Sequence, residues 1–404
     1  MMSIDRKILV LPGTKWQVPL VKKIHEMGIQ VLVVNPALDS PAFKYADKAI
    51  VSDIFAKGNY LNEVKEIGVD AVMSDECDIA TRLIADLAEE LGVPSQTRER
   101  AELFSNKYLM RVFLRDHGLP CPEFRFCRSL EECKEFFRSL KGPMILKPLD
   151  SNSSHGVFTI YHEEDLKRHF DETLSFSRGE KAVLCERYIT GTEFTVDGIK
   201  TESGHTSLAI SEKKHYGYNE NIANELFFSY DNPSFDYDRL REVNDRFVNL
   251  SGLPFGLTHA EYKYQDGEFY MIEIGARGGG NLISALIVPC LTGYDNYEAL
   301  ICMSLGETVL SMPTISEEFR CRCAVLKFFD VPGAGGVVKS IKGEELLRDN
   351  PNVLSYCFNF RIGDRIEKAV SDSARVGYYI AWADSRQELV EMMTRIDELV
   401  KIEI

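Results

Sequence analysis

The chain has 404 residues, of which 45% are hydrophobic and 27% charged, as in globular proteins of two or three domains. Its formal net charge of −15 argues against nucleic acid or an anionic membrane as the main partner. No stretch is long and apolar enough to span a membrane, no apolar signal segment opens the chain and the ten cysteines lack zinc-site spacing, so we expect a cytoplasmic protein with reduced thiols.

Strands and helices alternate through the first part of the chain. The pattern predicts strands at residues 7–11, 29–35 and 70–74 and helices at residues 16–27, 60–67 and 79–91. Near-continuous apolar strands separated by helices predict a parallel sheet covered on both faces. Asp75 and Glu76 follow one of these strands, where we favour helix capping or solvation over contact with a substrate. Pro12-Gly13-Thr14 does not match G-x-G-x-x-G, which argues against a dinucleotide site.

A second region begins after residue 95, where the alternation breaks. One or two helices are predicted over residues 98–117, which contain Lys107, and an apolar strand then carries Lys147. The following segment, residues 150–157, reads D-S-N-S-S-H-G-V. Small hydroxyl and amide residues followed by glycine offer hydroxyl and backbone N–H groups to phosphate oxygens, although a plain surface turn is the alternative.

Two further predicted strands, residues 182–189 and 193–199, carry one glutamate each, Glu186 and Glu193. A strand edge that leaves an N–H and a C=O free beside an acidic side chain can pair with the amino group and ring nitrogens of adenine. Taken alone, both glutamates are equally consistent with ordinary exposed strand positions.

A polar and aromatic stretch at residues 212–220 follows a continuing strand. Lys213 and His215 in this stretch are candidates for contact with an acidic or hydroxylated substrate, and a solvated connection is an equally good interpretation. After residue 313 the pattern changes to short strands and two helices, which predicts a second domain boundary.

Residues 257–281 are the most informative stretch, a predicted β-hairpin that turns at Asp266-Gly267. A three-residue loop that also includes Glu268 would place Glu261 directly opposite Glu273. We favour this register because a slip of one residue would mix polar and apolar side chains on both faces. One face then carries Ala260, Tyr262, Tyr264, Tyr270, Ile272 and Ile274, and the other carries His259, Glu261, Lys263, Met271 and Glu273.

Two facing glutamates call for a cation between them, because like charges about 4 Å apart repel by roughly 4 kcal/mol at an effective dielectric of about 20. A divalent cation with oxygen ligands, such as Mg²⁺, removes that repulsion. Arg277 adds a planar cation suited to phosphate, and Gly278-Gly279-Gly280 lets a ligand approach bare backbone. We therefore favour a metal–phosphate site over a solvated sheet face on which Lys263 neutralises one acid.

The motifs H-A-E-Y at residues 259–262 and E-I-G-A-R-G-G-G at residues 273–280 resemble the metal-binding end of ATP-grasp ligases. The closest resemblance is to the carboxylate–amine ligases of the amino-acid ligase type, and it covers essentially the whole chain. It implies an α/β ATP-grasp fold with three parts: a parallel-sheet pre-ATP-grasp domain at residues 1–95, an ATP-grasp domain at residues 96–312 whose two subdomains meet near residues 186–193, and a C-terminal α+β lid domain at residues 313–404.

The resemblance also implies roles for individual residues. Glu261 and Glu273 would hold Mg²⁺, for which Mn²⁺ is a candidate substitute, while Arg277 and Lys147 would act on the transferred phosphoryl group. The residues expected to bind ATP are Lys107, Lys147, Ser151, Ser153, Ser154, His155, Gly156, Glu186, Tyr188, Ile189 and Glu193. The candidate substrate residues are Lys213, His215, Gly279, Gly280 and Asn281. Many members have an asparagine two residues after the second glutamate as a third metal ligand, whereas this chain has Gly275.

Such a ligase transfers the γ-phosphate of ATP to a substrate carboxylate, and an amine then displaces phosphate from the acyl phosphate. The implied partners are therefore a small-molecule carboxylate and an amine, and a homodimer is a candidate assembly. A carboxylase of the biotin-carboxylase or purine-pathway kind would share the ATP residues but use bicarbonate. A nucleotide-binding module without catalysis is a third alternative, against which the two glutamates and Arg277 argue.

Overall fold

The structure, a computed structural model, describes residues 6–151, 155–309 and 312–404. Two serines expected to bind phosphate, Ser153 and Ser154, lie outside the described residues. The strands that are described form a parallel sheet, a four-stranded antiparallel sheet, an eight-stranded antiparallel sheet and two short strand pairs. Every helix in this part of the chain is too short or too polar to cross a membrane.

The N-terminal part is built around the parallel sheet. Its elements are β1 (Lys7–Val10), α1 (Val18–Glu26), β2 (Gln30–Asn35), β3 (Lys48–Val51), α2 (Leu61–Ile67), β4 (Ala71–Met73) and α3 (Ala80–Leu91). The strand order is β3-β2-β1-β4. Ile8 and Val10 of β1 enter one core while Leu9 enters the other, which confirms the prediction of a sheet covered on both faces. The sequence pattern missed β3, in which only Ile50 is buried.

The next part is a four-stranded antiparallel sheet. Its elements are α4 (Arg98–Leu103), α5 (Lys107–Asp116), β5 (Phe124–Cys127), α6 (Leu130–Ser139), β6 (Met144–Pro148), β7 (Phe158–Ile160), α7 (Glu163–Ser175) and β8 (Val183–Arg187), and the strand order is β5-β8-β6-β7. Ile145 pairs with Glu186 and Lys147 with Leu184, so Lys147 and Glu186 lie diagonally on one face. Sequence analysis missed β7 and α7.

The eight-stranded sheet forms the rest of the molecule's core. Its elements and the helices among them are β9 (Glu193–Thr201), β10 (Gly204–Tyr216), β11 (Asn219–Ser229), α8 (Tyr237–Ser251), β12 (Gly256–Gln265), β13 (Glu268–Gly275), α9 (Val288–Thr292), α10 (Asn296–Ser304), α11 (Glu317–Arg320) and β14 (Cys323–Phe328). The C-terminal elements are β15 (Gly336–Val337), β16 (Ser340–Lys342), α12 (Glu345–Arg348), β17 (Val353–Phe358), β18 (Arg365–Ile366), β19 (Gly377–Ala383), α13 (Arg386–Leu399) and β20 (Lys401–Glu403).

The strand order of this sheet is β13-β12-β9-β10-β11-β14-β19-β17, so it runs without interruption across residue 313. Strands β11 and β14 pair from Glu225 with Lys327 to Ser229 with Cys323. The interpretation of residues 212–220 as a solvated connection is wrong, because β10 and β11 form a hairpin there with Lys213 opposite Leu226. A division into three domains remains a proposal about a molecule whose last two parts share one sheet.

The predicted pairing of Glu261 with Glu273 is present, but the turn that was expected to produce it is not. The loop has two residues, Asp266 and Gly267, and Gln265 pairs with Glu268. The odd register arises instead from a β-bulge, because Tyr262 pairs with Met271 and Ile272 is left as the extra residue. Between the bulge and the turn, the predicted faces are therefore exchanged. Met271 and Phe269 are buried in the core with Tyr262, whereas Ile272 lines a cavity beside Glu273.

Candidate active site

The residues expected to bind a nucleotide surround one cavity of about 380 Å³ between the four-stranded and eight-stranded sheets. This volume lies within the range of small-molecule sites. Those that line it are Lys107, Lys147, Ser151, His155, Gly156, Glu186, Tyr188, Ile189 and Glu193, together with the facing pair Glu261 and Glu273. These residues, which are spread along the chain from Lys107 to Glu273, therefore come together at one site.

A buried ion-pair cluster forms the floor of this cavity. The Lys147 Nζ lies 2.7 Å from Glu186 Oε2, and the Arg111 Nε lies 2.6 Å from Glu186 Oε1. Burial lowers the pKa of Lys147 to about 8. Burial alone would raise the pKa of Glu186, but Arg111 and Lys147 hold it below its ordinary value. Arg111 also donates to the Ile272 carbonyl at 2.7 Å, which ties α5 to β13 beside the facing glutamates.

Each of the facing glutamates is neutralised by a lysine. Lys213 Nζ lies 2.8 Å from both Glu193 and Glu261. Lys107 Nζ lies 2.7 Å from Glu273 Oε2 and donates to the Ser151 carbonyl at 2.7 Å. The alternative in which Lys263 neutralises one acid is wrong. Its Nζ instead lies 5.0 Å from the centre of the Tyr188 ring.

The pair fits a hard divalent cation, because two carboxylates on directly paired residues of neighbouring strands offer oxygen donors on one face of the hairpin. Both side chains are accessible from the nucleotide cavity. Lys107 and Lys213, which pair with these glutamates, carry their charge at the end of a flexible side chain. A metal ion can therefore replace each ammonium group at its glutamate, and the lysine can then contact phosphate oxygens. Glu261 and Glu273 would hold the metal, and the two lysines would then be free for anionic ligands.

The loop after β4 is hydrogen-bonded to the segment that follows β13. Asp75 accepts hydrogen bonds from the Gly278 N–H at 2.7 Å and the Tyr297 hydroxyl at 2.6 Å, and it is fully buried. Glu76 accepts from the Leu282 N–H at 2.9 Å. The expectation that Asp75 and Glu76 cap a helix or face solvent is therefore wrong. A carboxylate buried this deeply is satisfied only by such fixed donors.

Arg277 is held by the same loop. Its Nε lies 2.7 Å from Asp78 Oδ1 and its Nη2 2.9 Å from Asp78 Oδ2, a bidentate pair, while its Nη1 donates to the Gly278 carbonyl at 2.9 Å. Asp78 follows β4 at the carboxyl edge of the parallel sheet. Strand order reverses there between β1 and β4, and such switch points are where α/β sheets bind ligands.

The glycine run after Arg277 serves packing as well as access. A Cβ on Gly278 would collide with the Ser284 side chain, and one on Gly279 would collide with Asp197. Protein side chains, rather than a ligand, therefore occupy the space beside these two glycines. Gly280 has open space around it, and both Gly280 and Asn281 line a second cavity.

A second cavity, of about 440 Å³, adjoins the first. The two share Glu193, His215, Asn221, Glu261, Glu273 and Asp372 in their walls. The second, which we call the substrate cavity, also contains Trp16, Glu76, Arg277, Asn281 and Arg375. Arg375 comes from the C-terminal part and lies 2.6 Å from Asp372 and 3.9 Å from the centre of the Phe328 ring. All three parts of the chain thus contribute to this wall.

Comparison with known proteins agrees with this architecture. A family model for the ATP-grasp domain matches residues 140–285, and one for the L-amino acid ligase C-terminal domain 2 matches residues 328–404. Residues 140–285 therefore form an ATP-grasp domain, and residues 328–404 form a domain similar to the C-terminal domain of L-amino acid ligases. Over 306 residues, the chain is 24% identical to dapdiamide A synthase from Enterobacter agglomerans. The aligned residues make up 73% of this chain and 70% of that protein.

Two further proteins are similar to this chain. A formate-dependent phosphoribosylglycinamide formyltransferase from Prochlorococcus marinus (strain MIT 9515) is 26% identical over 205 residues, which is 50% of this chain and about half of that protein, 52%. The crystal structure of an L-amino acid ligase from Bacillus licheniformis matches 100% of this chain and 99% of that chain with a TM-score of 0.83 and 20% identity. At this identity the structural match shows the shared ATP-grasp fold.

Sequence analysis assigned no role to several residues in or beside these cavities, namely Arg111, Asp78, Trp16 and Arg375. A local signal was available for Arg111, which lies four residues after Lys107 on the same face of α5. Asp78 could have been suspected from its place after the last strand of a parallel sheet. Nothing in the local pattern marks Arg375. It lines the substrate cavity only because the following strand, β19, pairs with β14 in the eight-stranded sheet.

Proposed function

We propose that this protein is an ATP-dependent ligase that joins a carboxylate to an amine and releases ADP and phosphate. The meeting of two cavities at Glu261 and Glu273 carries the proposal. The first cavity is lined by the residues expected to bind ATP. The second, the substrate cavity, has both cationic and acidic side chains in its wall. ATP in the first cavity and a carboxylate in the second would approach the two glutamates from opposite sides. Catalysis is then mainly positioning and charge neutralisation.

Each charged group has a task in this reaction. Glu261 and Glu273 would hold Mg²⁺, which when bound neutralises phosphate oxygens. Lys107 and Lys147 bind the phosphates as cations, and Arg277 stabilises charge on the transferred phosphoryl group. A carboxylate oxygen of the substrate bonds to the γ-phosphorus as the bond to the ADP oxygen breaks. The amine then attacks the acyl carbon, loses a proton, and phosphate leaves.

We further propose that the substrate is an amino acid, because the substrate cavity contains an acid suited to an ammonium group. One oxygen of Glu76 accepts from Leu282, and the other, Oε2, is buried and has no hydrogen-bond partner among the described residues. Burial and the neighbouring Asp75 raise the pKa of Glu76 well above its ordinary value. An ammonium group of the substrate would supply the missing donor and stabilise the ionised carboxylate.

Replacing Glu76 by Gln is expected to raise KM for the amino acid by about tenfold or more with a smaller change in kcat. A charge-assisted hydrogen bond contributes roughly 1.5–3 kcal/mol, and about 1.4 kcal/mol corresponds to tenfold. Initial rates of ADP release should be compared for an amino acid and for the acid of the same size without the amino group. An equal increase of KM for both acids would contradict an ammonium contact at Glu76.

The proposed activity is tested by incubating the protein with Mg²⁺, ATP and pools of carboxylic acids and amines while ADP is measured. With the correct carboxylate, hydroxylamine should trap the acyl phosphate as a hydroxamate. AMP and pyrophosphate as products would contradict the roles of Lys147 and Arg277. ADP release that depends on bicarbonate and on no amine would favour the carboxylase alternative.

Three finer expectations accompany the proposal. Mn²⁺ would substitute for Mg²⁺, since both accept octahedral oxygen ligands. The ten cysteines are free thiols, which supports a cytoplasmic setting, and the net charge of −15 supports the absence of a nucleic-acid partner. A homodimer is the remaining expectation, and sedimentation of the purified protein measures it directly.

A further inference from the structure

Three cysteines meet in the core beside the four-stranded sheet, and we call them the thiol cluster. Cys127 ends β5, Cys133 lies in α6 and Cys185 lies in β8. All three residues are fully buried, and their sulfur atoms lie within 4.8 Å of one another. Their spacing along the chain does not reveal the cluster, because β6, β7 and α7 come between Cys133 and Cys185.

The local fold fixes the position of each thiol. Strands β5 and β8 are antiparallel neighbours in which Cys127 pairs with Val183, two residues before Cys185. Cys127 and Cys185 are therefore diagonal neighbours on one face of the sheet. The side chain of Ser129 caps the start of α6, and Cys133 lies in the first turn of that helix. The third sulfur thus reaches the other two from the helix that packs on this face.

The thiol cluster is separate from the nucleotide cavity. Cys185 and Glu186 follow one another on β8, so their side chains point to opposite faces of the sheet. Glu186 lines the nucleotide cavity, whereas Cys185 is part of the core on the other face together with Leu146, its partner on β6. The proposed ligase reaction therefore makes no use of these three sulfur atoms.

The three thiols act on one another's protonation. Hydrogen bonds from the Cys133 and Cys185 thiols lower the pKa of Cys127, and the same bonds raise the pKa of Cys133 and Cys185. The side chains packed around the cluster, among them Phe136 and Leu146, are apolar. A thiolate is the form of cysteine that binds metal, and a charge in apolar surroundings is stable only beside an opposite charge.

We infer that the thiol cluster binds one soft metal ion, and that its donor set fits Cu(I) in a trigonal site. A metal about 2.3 Å from each sulfur, a typical metal–thiolate bond length, requires sulfur atoms roughly 4 Å apart in a plane. That separation lies within the limit that the three sulfur atoms meet. Binding releases the protons of the thiols that become ligands.

The number of donors favours Cu(I) over Zn²⁺. Thiolates select both ions, but structural zinc is almost always bound by four ligands in a tetrahedron. Among the described residues, the cluster brings together three sulfur donors and no fourth side-chain ligand of the His, Asp or Glu type. The apolar core around it also leaves no polar neighbour to hold a water molecule as the fourth ligand.

A metal ion can reach the cluster through the turn between β5 and α6. Arg128 and Ser129 form this turn, and both are exposed although Cys127 directly before them is fully buried. Local opening of a short surface turn requires far less free energy than global unfolding. Such an opening would expose Cys127 while the rest of the sheet stays paired.

The test is an anaerobic titration of the reduced full chain with Cu(I) held by bicinchoninate, whose colour fades as the protein takes the metal. Cys127→Ala and Cys185→Ala are compared with the unchanged chain. Cys323→Ala is the matched control, because Cys323 is a buried cysteine on β14 outside the cluster. The unchanged chain and the control should take up one equivalent tightly. Its affinity should fall about hundredfold or more in both cluster variants, since even an outer-shell partner contributes about 10–100-fold.

X-ray absorption at the copper edge of the loaded, unchanged chain gives a second readout that does not depend on whether the variants fold. It should show three sulfur neighbours and no nitrogen or oxygen. The inference is wrong if the unchanged chain has no tight equivalent, if the cluster variants keep it, or if the control loses it. A spectrum with two sulfur neighbours, or tighter binding of Zn²⁺ than of Cu(I), would overturn the trigonal copper site.

Discussion

Replacing Glu273 by Gln is expected to lower the rate of ADP formation by about three orders of magnitude or more while the protein stays folded. The metal supplies several kcal/mol of transition-state stabilisation, and about 1.4 kcal/mol corresponds to each factor of ten. The fold should survive, because the lysine that pairs with Glu273 keeps a second partner: Lys107 still donates to the Ser151 carbonyl. Rates with saturating Mg²⁺ and ATP, together with circular dichroism, measure both effects.

Glu268→Gln is the matched control, because Glu268 begins the same strand at the turn end of the hairpin. Its rate of ADP formation should equal that of the unchanged protein. Glu261→Gln should reproduce the loss seen at Glu273, since its lysine also keeps a second acid, Glu193. Near-normal turnover by either cavity variant would remove the metal site from the proposed function.

Replacing Arg111 by Met is expected to lower the free energy of unfolding by about 3 kcal/mol or more, since breaking one partner of a buried ion pair costs about 3–5 kcal/mol. The Arg111 side chain has no solvent exposure and that of Glu186 has 5%. The change leaves the Glu186 carboxylate buried with Lys147 alone and removes the bond to the Ile272 carbonyl. Urea unfolding followed by fluorescence measures the loss, and ATP binding should weaken in parallel.

Arg115→Met is the control for this prediction, because Arg115 is on the same helix, exposed, and paired with Asp116 at the surface. It should leave unfolding essentially unchanged. Adding Glu186→Gln to Arg111→Met should recover part of the lost stability, because the uncompensated charge is then removed. If Arg111→Met unfolds like Arg115→Met, the cluster does not stabilise the floor of the nucleotide cavity.

The hairpin shows how far local pattern carries a prediction. Alternation of apolar and polar residues requires an odd register, and that conclusion is confirmed by the pairing of Glu261 with Glu273. The pattern reports only that one extra residue exists, not where it lies. Sequence analysis put the extra residue in the turn, whereas the structure puts it at Ile272, so the faces of Tyr270, Met271 and Ile272 were predicted wrongly.

The strand–helix alternation of the N-terminal part and the residues expected to bind ATP were readable from the sequence, because both are expressed in periodicity and short motifs. The partner of each charged residue could not be predicted from the sequence. The alternative to a metal site paired Lys263 with one glutamate, yet in the structure the two glutamates pair with Lys213 and Lys107. Arg111 and Arg375 had no assigned role at all.

The sequence by itself thus determined the fold class and the facing acids of the hairpin, and it picked out residues that line one cavity. Tertiary structure alone decided that Asp75 and Glu76 accept hydrogen bonds from Gly278 and Leu282. It also decided that Arg277 is held by Asp78, a residue 199 positions away. The physical reason is that local periodicity specifies which face a side chain occupies, whereas an ion pair depends on the path by which distant segments come into contact.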